Sequence, residues 1–140
     1  MNYKFENQIS YTDYKALRDS VGWREVSERQ FNISVKHTHF MVAVKADEKI
    51  IGMGKVIGDG GYYWNISDLI VLPEYQGKGL GREINERLLK FIDDSAMNGE
   101  YVAVHLASAK GKEPFYEKFG FKTRPFDNYG AGMSLVYIKE

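Results

Sequence analysis

The chain contains no cysteine. That excludes disulfides, cysteine-ligated metals and a cysteine nucleophile, and it fits a reducing compartment. Long hydrophobic runs are missing as well: no apolar stretch approaches the ~18 residues needed to span a bilayer. The opening residues, Met1-Asn2-Tyr3-Lys4-Phe5-Glu6-Asn7-Gln8, lack the apolar core of a signal peptide. A cytoplasmic protein with no membrane partner is expected. Nor is there an excess of charge of one sign. Nineteen basic residues balance nineteen acidic ones, so no long-range field draws the chain to nucleic acid, and any anion site must be built locally.

What is present is aromatic. Ten tyrosines and eight phenylalanines in 140 residues predict an aromatic-rich core in a chain about one domain long. No repeat or linker interrupts residues 1–140, so one domain is expected. A first helix is signalled by Ser10 and Thr12-Asp13 ahead of Tyr14, Leu17 and Val21, ending at Gly22. Ser27 with Gln30 forms a capping box for a second helix, with Val26 and Phe31 as its hydrophobic staple. From Phe40 the period becomes two, giving a strand to Lys45, a polar turn, and a second strand from Ile50 to Ile57. A turn at Gly58-Asp59-Gly60-Gly61 leads to a third antiparallel strand, Tyr62 to Val71, closed by Pro73.

Helical spacing returns at Leu80, Ile84, Leu88, Phe91 and Ile92, with Asn98-Gly99 as a stop. Tyr101 to Leu106 reads as a short buried strand, parallel to the previous one because a helix crosses between them. Pro114 to Phe119 reads as a short helix stopped by Gly120. Two further strands are expected around Phe121 to Arg124 and Met133 to Ile138. The sum is an α/β fold with a mixed, mostly antiparallel sheet covered by helices.

The segment richest in chemistry is Val71-Leu72-Pro73-Glu74-Tyr75-Gln76-Gly77-Lys78-Gly79-Leu80-Gly81-Arg82. A strand ends, glycines follow, and a long amphipathic helix begins. Helix starts carry unpaired N–H groups and a partial positive charge, so they bind phosphate. Glycines let the backbone approach an anion and take positive φ, making a nest of N–H donors, with Lys78 and Arg82 adding charge at the rim. The spacing does not fit a P-loop, which needs a lysine followed by Ser or Thr, nor the G-x-G-x-x-G dinucleotide fingerprint. A plain helix-capping turn is the simpler alternative.

Gln76-Gly77-Lys78-Gly79-Leu80-Gly81 resembles the Q/R-x-x-G-x-G/A signature of the GNAT superfamily of N-acetyltransferases. Asp68-Leu69-Ile70-Val71-Leu72-Pro73 resembles that family's central strand, and Phe115-Tyr116-Glu117-Lys118-Phe119-Gly120-Phe121 its late F-Y-x-x-x-G-F segment. The resemblance covers nearly the whole chain. It implies a GNAT-like sheet with splayed central strands and acetyl-CoA as cosubstrate, with no metal. The backbone of Gln76, Gly77, Lys78, Gly79, Leu80 and Gly81 would hold the pyrophosphate. Val71 would pair with the pantetheine arm through its main chain, the Leu69 N–H would point at the thioester oxygen, and Tyr116 would protonate the departing thiolate. An alkyl amine with a pKa near ~10 is protonated at neutral pH, so a carboxylate, or a water chain ending on one, must receive its proton. Asp68 is the candidate, although Asn65 stands where many members have glutamate. Its side chain and that of Leu69 should face opposite sides of the sheet.

The acceptor implied is a primary amine. Ile57-Gly58-Asp59-Gly60-Gly61 and the Arg124 to Met133 segment resemble a subgroup that includes arylalkylamine-type enzymes, which favours a small molecule. A protein N-terminus or lysine, or a non-catalytic acyl-CoA-binding module, are the alternatives, in a monomer or a homodimer. His37 and His39 lack a third metal ligand nearby in sequence, and His105 in an apolar strand reads as a satisfied core histidine. Trp23 and Tyr129 either line an acceptor pocket or cover core.

Overall fold

A computed structural model describes residues 2–140. The chain falls into two compact units, Met1–Leu106 and Ala107–Glu140, and the first carries the whole sheet. Five strands lie side by side in chain order: β1 (Tyr3–Glu6), β2 (Phe40–Ala46), β3 (Lys49–Gly58), β4 (Tyr63–Val71) and β5 (Ala103–His105). The first three junctions are antiparallel and β4–β5 is parallel. The mixed α/β sheet expected from the sequence is therefore present. β1, too short to announce itself by period, adds an edge.

Helices α1 (Tyr11–Ser20) and α2 (Glu28–Lys36) begin where their caps predict. Ser10 accepts from the Asp13 N–H, and Ser27 and Gln30 complete both halves of the capping box. Helix α3 (Leu80–Ser95) turns Leu80, Ile84, Leu88 and Ile92 into the core. Its close seat on the sheet depends on glycine. A Cβ on Gly54 would lie 2.8 Å from Ile84 Cγ2 and 2.9 Å from Leu88 Cδ1, so only glycine lets the helix approach this closely. The two faces of the sheet follow from this alternation. Gly52 and Gly54 face α3, while Lys55, the next residue, reaches Ser34 of α2 on the other face.

Parallel pairing of β4 with β5 is confined to Tyr63–Asn65 against Ala103–His105. Beyond it β4 continues from Ile66 to Val71 with β3 on one side and, among the described residues, no strand on the other, so the central strands part as expected. β5 is shorter than the sequence suggested and only partly buried, because it is the last strand of the sheet.

In the second unit, α4 (Glu113–Glu117) carries proline in its first turn, and Gly120 follows at a positive φ of 94°. The two terminal strands expected from the sequence are absent among the described residues. A strand requires a ladder, and residues 121–140 form only an isolated bridge, Phe126 with Tyr129. Met133 and Leu135 are 96% and 87% exposed there. Among the described residues, no helix is long and apolar enough to cross a membrane.

Candidate active site

The glycine-rich segment forms the junction between β4 and α3. Pro73–Tyr75 makes a single 3₁₀ turn, and Gln76 follows in extended conformation. Gly77 and Gly79 both take positive φ, 78° and 83°, and nothing lies within 4 Å of a Cβ placed on either. Gly79 is the N-cap of α3 and offers no side-chain cap to the free N–H groups of the first turn. The result is an open cradle of main-chain donors at the positive end of a sixteen-residue helix. Its donor chemistry fits a pyrophosphate.

The side chains around it divide the work. Gln76 donates its amide N–H to the Val71 carbonyl at 2.9 Å, which ties the loop back to the end of β4. That carbonyl therefore already accepts one bond and has one lone pair left. Leu80 is buried core and can meet a ligand only through its N–H. Arg82 is exposed and engaged with Glu86 at 2.8 Å, whereas Lys78 is exposed beside Gly77 and Gly79.

Upstream, β4 carries a bulge. Met53 pairs with Ile70 and Lys55 with Ser67, so Asp68 and Leu69 together oppose Gly54 alone. Asp68 takes the left-handed conformation, φ 53°, which aspartate tolerates better than most residues. Its carboxylate and the Leu69 side chain face opposite sides, as alternation predicts. Leu69 Cδ1 lies 3.2 Å from a Cβ built on Gly54, on the α3 face, while Asp68 meets α1.

There Asp68 is the centre of a cluster. The Tyr14 hydroxyl donates to Oδ2 at 2.6 Å, Arg18 Nη1 donates to Oδ1 at 3.1 Å, and Lys55 Nζ lies 3.1 Å from Oδ2. Lys55 also donates to Ser34 Oγ at 3.0 Å. Burial, reinforced by the Asp68 hydrogen bond and charge, holds the Tyr14 phenol well above its ordinary pKa, so it remains a neutral donor. Among the described residues, Asp68 Oδ1 accepts from Arg18 alone and keeps a free lone pair. Tyr14, Arg18 and Ser34 were not singled out from the sequence. The signal was Lys55, a lone charge between Gly54 and Val56 inside an apolar strand, which had to find an anion.

Tyr116 lies on α4 in the second unit, partly buried, with Phe115 and Phe121 edge-on to its ring at 5.0 and 6.0 Å. Burial raises its phenol pKa. Trp23 does not merely cover core: its ring lies 5.6 Å from the Arg18 guanidinium. Tyr129 stacks on Phe126 at 5.0 Å. His39 bonds the Gly58 carbonyl through Nε2 at 3.0 Å. His105 departs from the satisfied core histidine expected. It stacks on Tyr63 at 4.7 Å, and its buried Nδ1 has no partner among the described residues.

The acetyltransferase (GNAT) domain model matches residues 7–139. An uncharacterized N-acetyltransferase ycf52 of Porphyra purpurea is 26% identical over 121 residues, covering 84% of this chain and 67% of that protein. The chloroplastic GCN5-related N-acetyltransferase 2 of Arabidopsis thaliana is 23% identical over 138 residues, and the match covers 52% of its length. A probable acetyltransferase of unknown function from meticillin-resistant Staphylococcus aureus superposes with a TM-score of 0.85 at 32% identity, covering 97% of this chain and all of that one.

Proposed function

The chain belongs to the GNAT acetyltransferase family, and from that membership we propose that it transfers the acetyl group of acetyl-CoA directly to a primary amine on a small molecule. The observation that carries the reading is the cradle at the start of α3, where two positive-φ glycines leave open space over unpaired helix N–H groups. The N–H groups of Gln76 to Gly81 hold the pyrophosphate, and Lys78 adds charge at its rim. Arg82, already paired with Glu86, contributes from its main chain at the first turn. Acetyl-CoA supplies the acetyl group as a thioester. With no cysteine available, transfer proceeds within a ternary complex.

The bulge at Asp68-Leu69 lies where β4, among the described residues, has no strand paired on the β5 side, which supports the Leu69 N–H as the donor to the thioester oxygen. Val71 pairs with the pantetheine arm. Tyr116 is the acid for the departing thiolate, and its raised pKa keeps the phenol protonated at neutral pH. The amine gives up its proton, at a cost of about 4 kcal/mol for a pKa near ~10, to Asp68 directly or through one water.

A protein acceptor is the second reading, since one soybean relative, 24% identical over 128 residues, is named histone acetyltransferase TAP1. Release of CoA thiol with a panel of small amines and lysine peptides tests both. Turnover of small amines is expected, and turnover of peptides alone would overturn the small-molecule assignment. Tyr116→Phe should lower kcat by roughly 10²–10³-fold at nearly constant acetyl-CoA affinity. Because the phenol pKa is raised, kcat limited by this acid should persist through the ordinary tyrosine range near ~10 and fall only at higher pH. Unchanged kcat in the variant would return Tyr116 to a packing role.

A further inference from the structure

The cluster around Asp68 does not balance. Arg18 and Lys55 both lean on this one carboxylate, with their side chains 15% and 10% exposed and that of Asp68 8% exposed. Among the described residues, no other carboxylate lies within salt-bridge reach of either cation. Two positive charges thus share one negative charge in a largely dry setting, and the neutral Tyr14 phenol supplies none. A net buried charge is costly unless an opposite charge approaches.

Donors remain to receive one. Arg18 spends Nε on the Arg24 carbonyl at 2.9 Å and Nη1 on Asp68 at 3.1 Å and on the Tyr14 hydroxyl at 3.4 Å. Of its five N–H donors the two on Nη2 remain for an oxyanion. The Tyr14 and Trp23 rings, each 5.6 Å from the guanidinium carbon, fix its plane in advance. Lys55 donates to Ser34 and is ion-paired with Asp68, and an ammonium carries three donors.

The position of the cluster decides which molecule brings the anion. It lies on the sheet face opposite α3, whereas the cradle read as the pyrophosphate site is the start of α3 itself. It also adjoins Leu69, the residue read as donor to the thioester oxygen. An anion received here therefore lies near the amine and apart from the CoA phosphates. We infer that the acceptor is an anionic amine, whose carboxylate or phosphate oxygens are received by Arg18 and Lys55. The inference rests on the acetyl-transfer reading and narrows its substrate class.

The test uses acceptors in matched pairs: 2-phenylethylamine with phenylalanine and butylamine with 4-aminobutyrate for the carboxylate, glucosamine with glucosamine 6-phosphate for the phosphate. A charge-assisted hydrogen bond contributes about 1.5–3 kcal/mol, roughly 10–100-fold. The anionic member of at least one pair should therefore show kcat/KM larger by about tenfold or more, and the preferred pair identifies the oxyanion. Arg18→Gln should bring the ratio within that pair towards one, chiefly through KM of the anionic member. Lys55→Gln serves the same purpose should the Arg18 variant fail to fold. Equal or better turnover of the neutral member in every pair would overturn the inference and leave acetyl transfer standing. Failure to acetylate any amine while acetyl-CoA still binds would overturn the acetyl-transfer reading beneath it.

Discussion

The two faces of the sheet are built on opposite principles. Towards α3 the surface is apolar and its fit is steric: Gly52 and Gly54 make room for Ile84 and Leu88, and the helix lies almost on the backbone. Towards α1 and α2 the surface is polar and its fit is electrostatic, with Tyr14, Arg18, Ser34 and Lys55 gathered on Asp68 or its partners. One face positions the helix whose start forms the cradle. The other surrounds the strand bulge where an acceptor would meet the thioester. One strand thus serves close packing on one side and charge pairing on the other, because alternation sends neighbours such as Gly54 and Lys55 to different faces.

Breaking the charged face should cost most. Asp68→Ala leaves two buried cations without a counter-ion, which typically costs about 3–5 kcal/mol. A large drop in the urea midpoint is expected, and a change within error would mean that the cations find water instead. On the apolar face, Gly54→Val forces atoms into Ile84 and Leu88, and overpacking of this kind costs about 1–3 kcal/mol. Its cost should appear in stability and also in acetyl-CoA affinity, because α3 must shift. Loss of stability with unchanged affinity would separate the helix seat from the cradle.

The apolar face also holds an exception that sharpens the contrast. Asn85 of α3 is fully buried, and neither atom of its amide has a protein partner among the described residues. Replacing it with leucine removes an unsatisfied polar group at similar volume. Such a buried group costs about 1–3 kcal/mol, so Asn85→Leu should raise the melting temperature by a few degrees. A lower melting temperature would show that the amide has a partner after all, such as an ordered water.

The sequence disclosed the two faces unequally. The apolar face and the cradle were legible because their signals are local: Leu80, Ile84, Leu88 and Ile92 repeat at helical spacing, and the glycines precede them directly. The Ser27 and Gln30 cap was legible for the same reason. The charged face was not, because Tyr14 and Asp68 are 54 residues apart and Arg18 and Asp68 are 50 apart. Only folding brings them together, and Asp68 read alone suggested a proton acceptor rather than the centre of a cluster. The tail was read in excess. Residues such as Leu135 and Tyr137 have the composition of a strand, but composition supplies no ladder partner.

The central claim is that the α3 start holds the CoA pyrophosphate through its main chain. Calorimetric titration of acetyl-CoA into the native protein and into Gly79→Val tests it most directly. Gly79 takes φ 83° in open space, so valine there is strained in conformation and fills the room an anion would occupy, without touching the core. Saturable binding to the native protein and its loss in the folded variant are expected. Equal affinity in both proteins would contradict it and place the cofactor elsewhere.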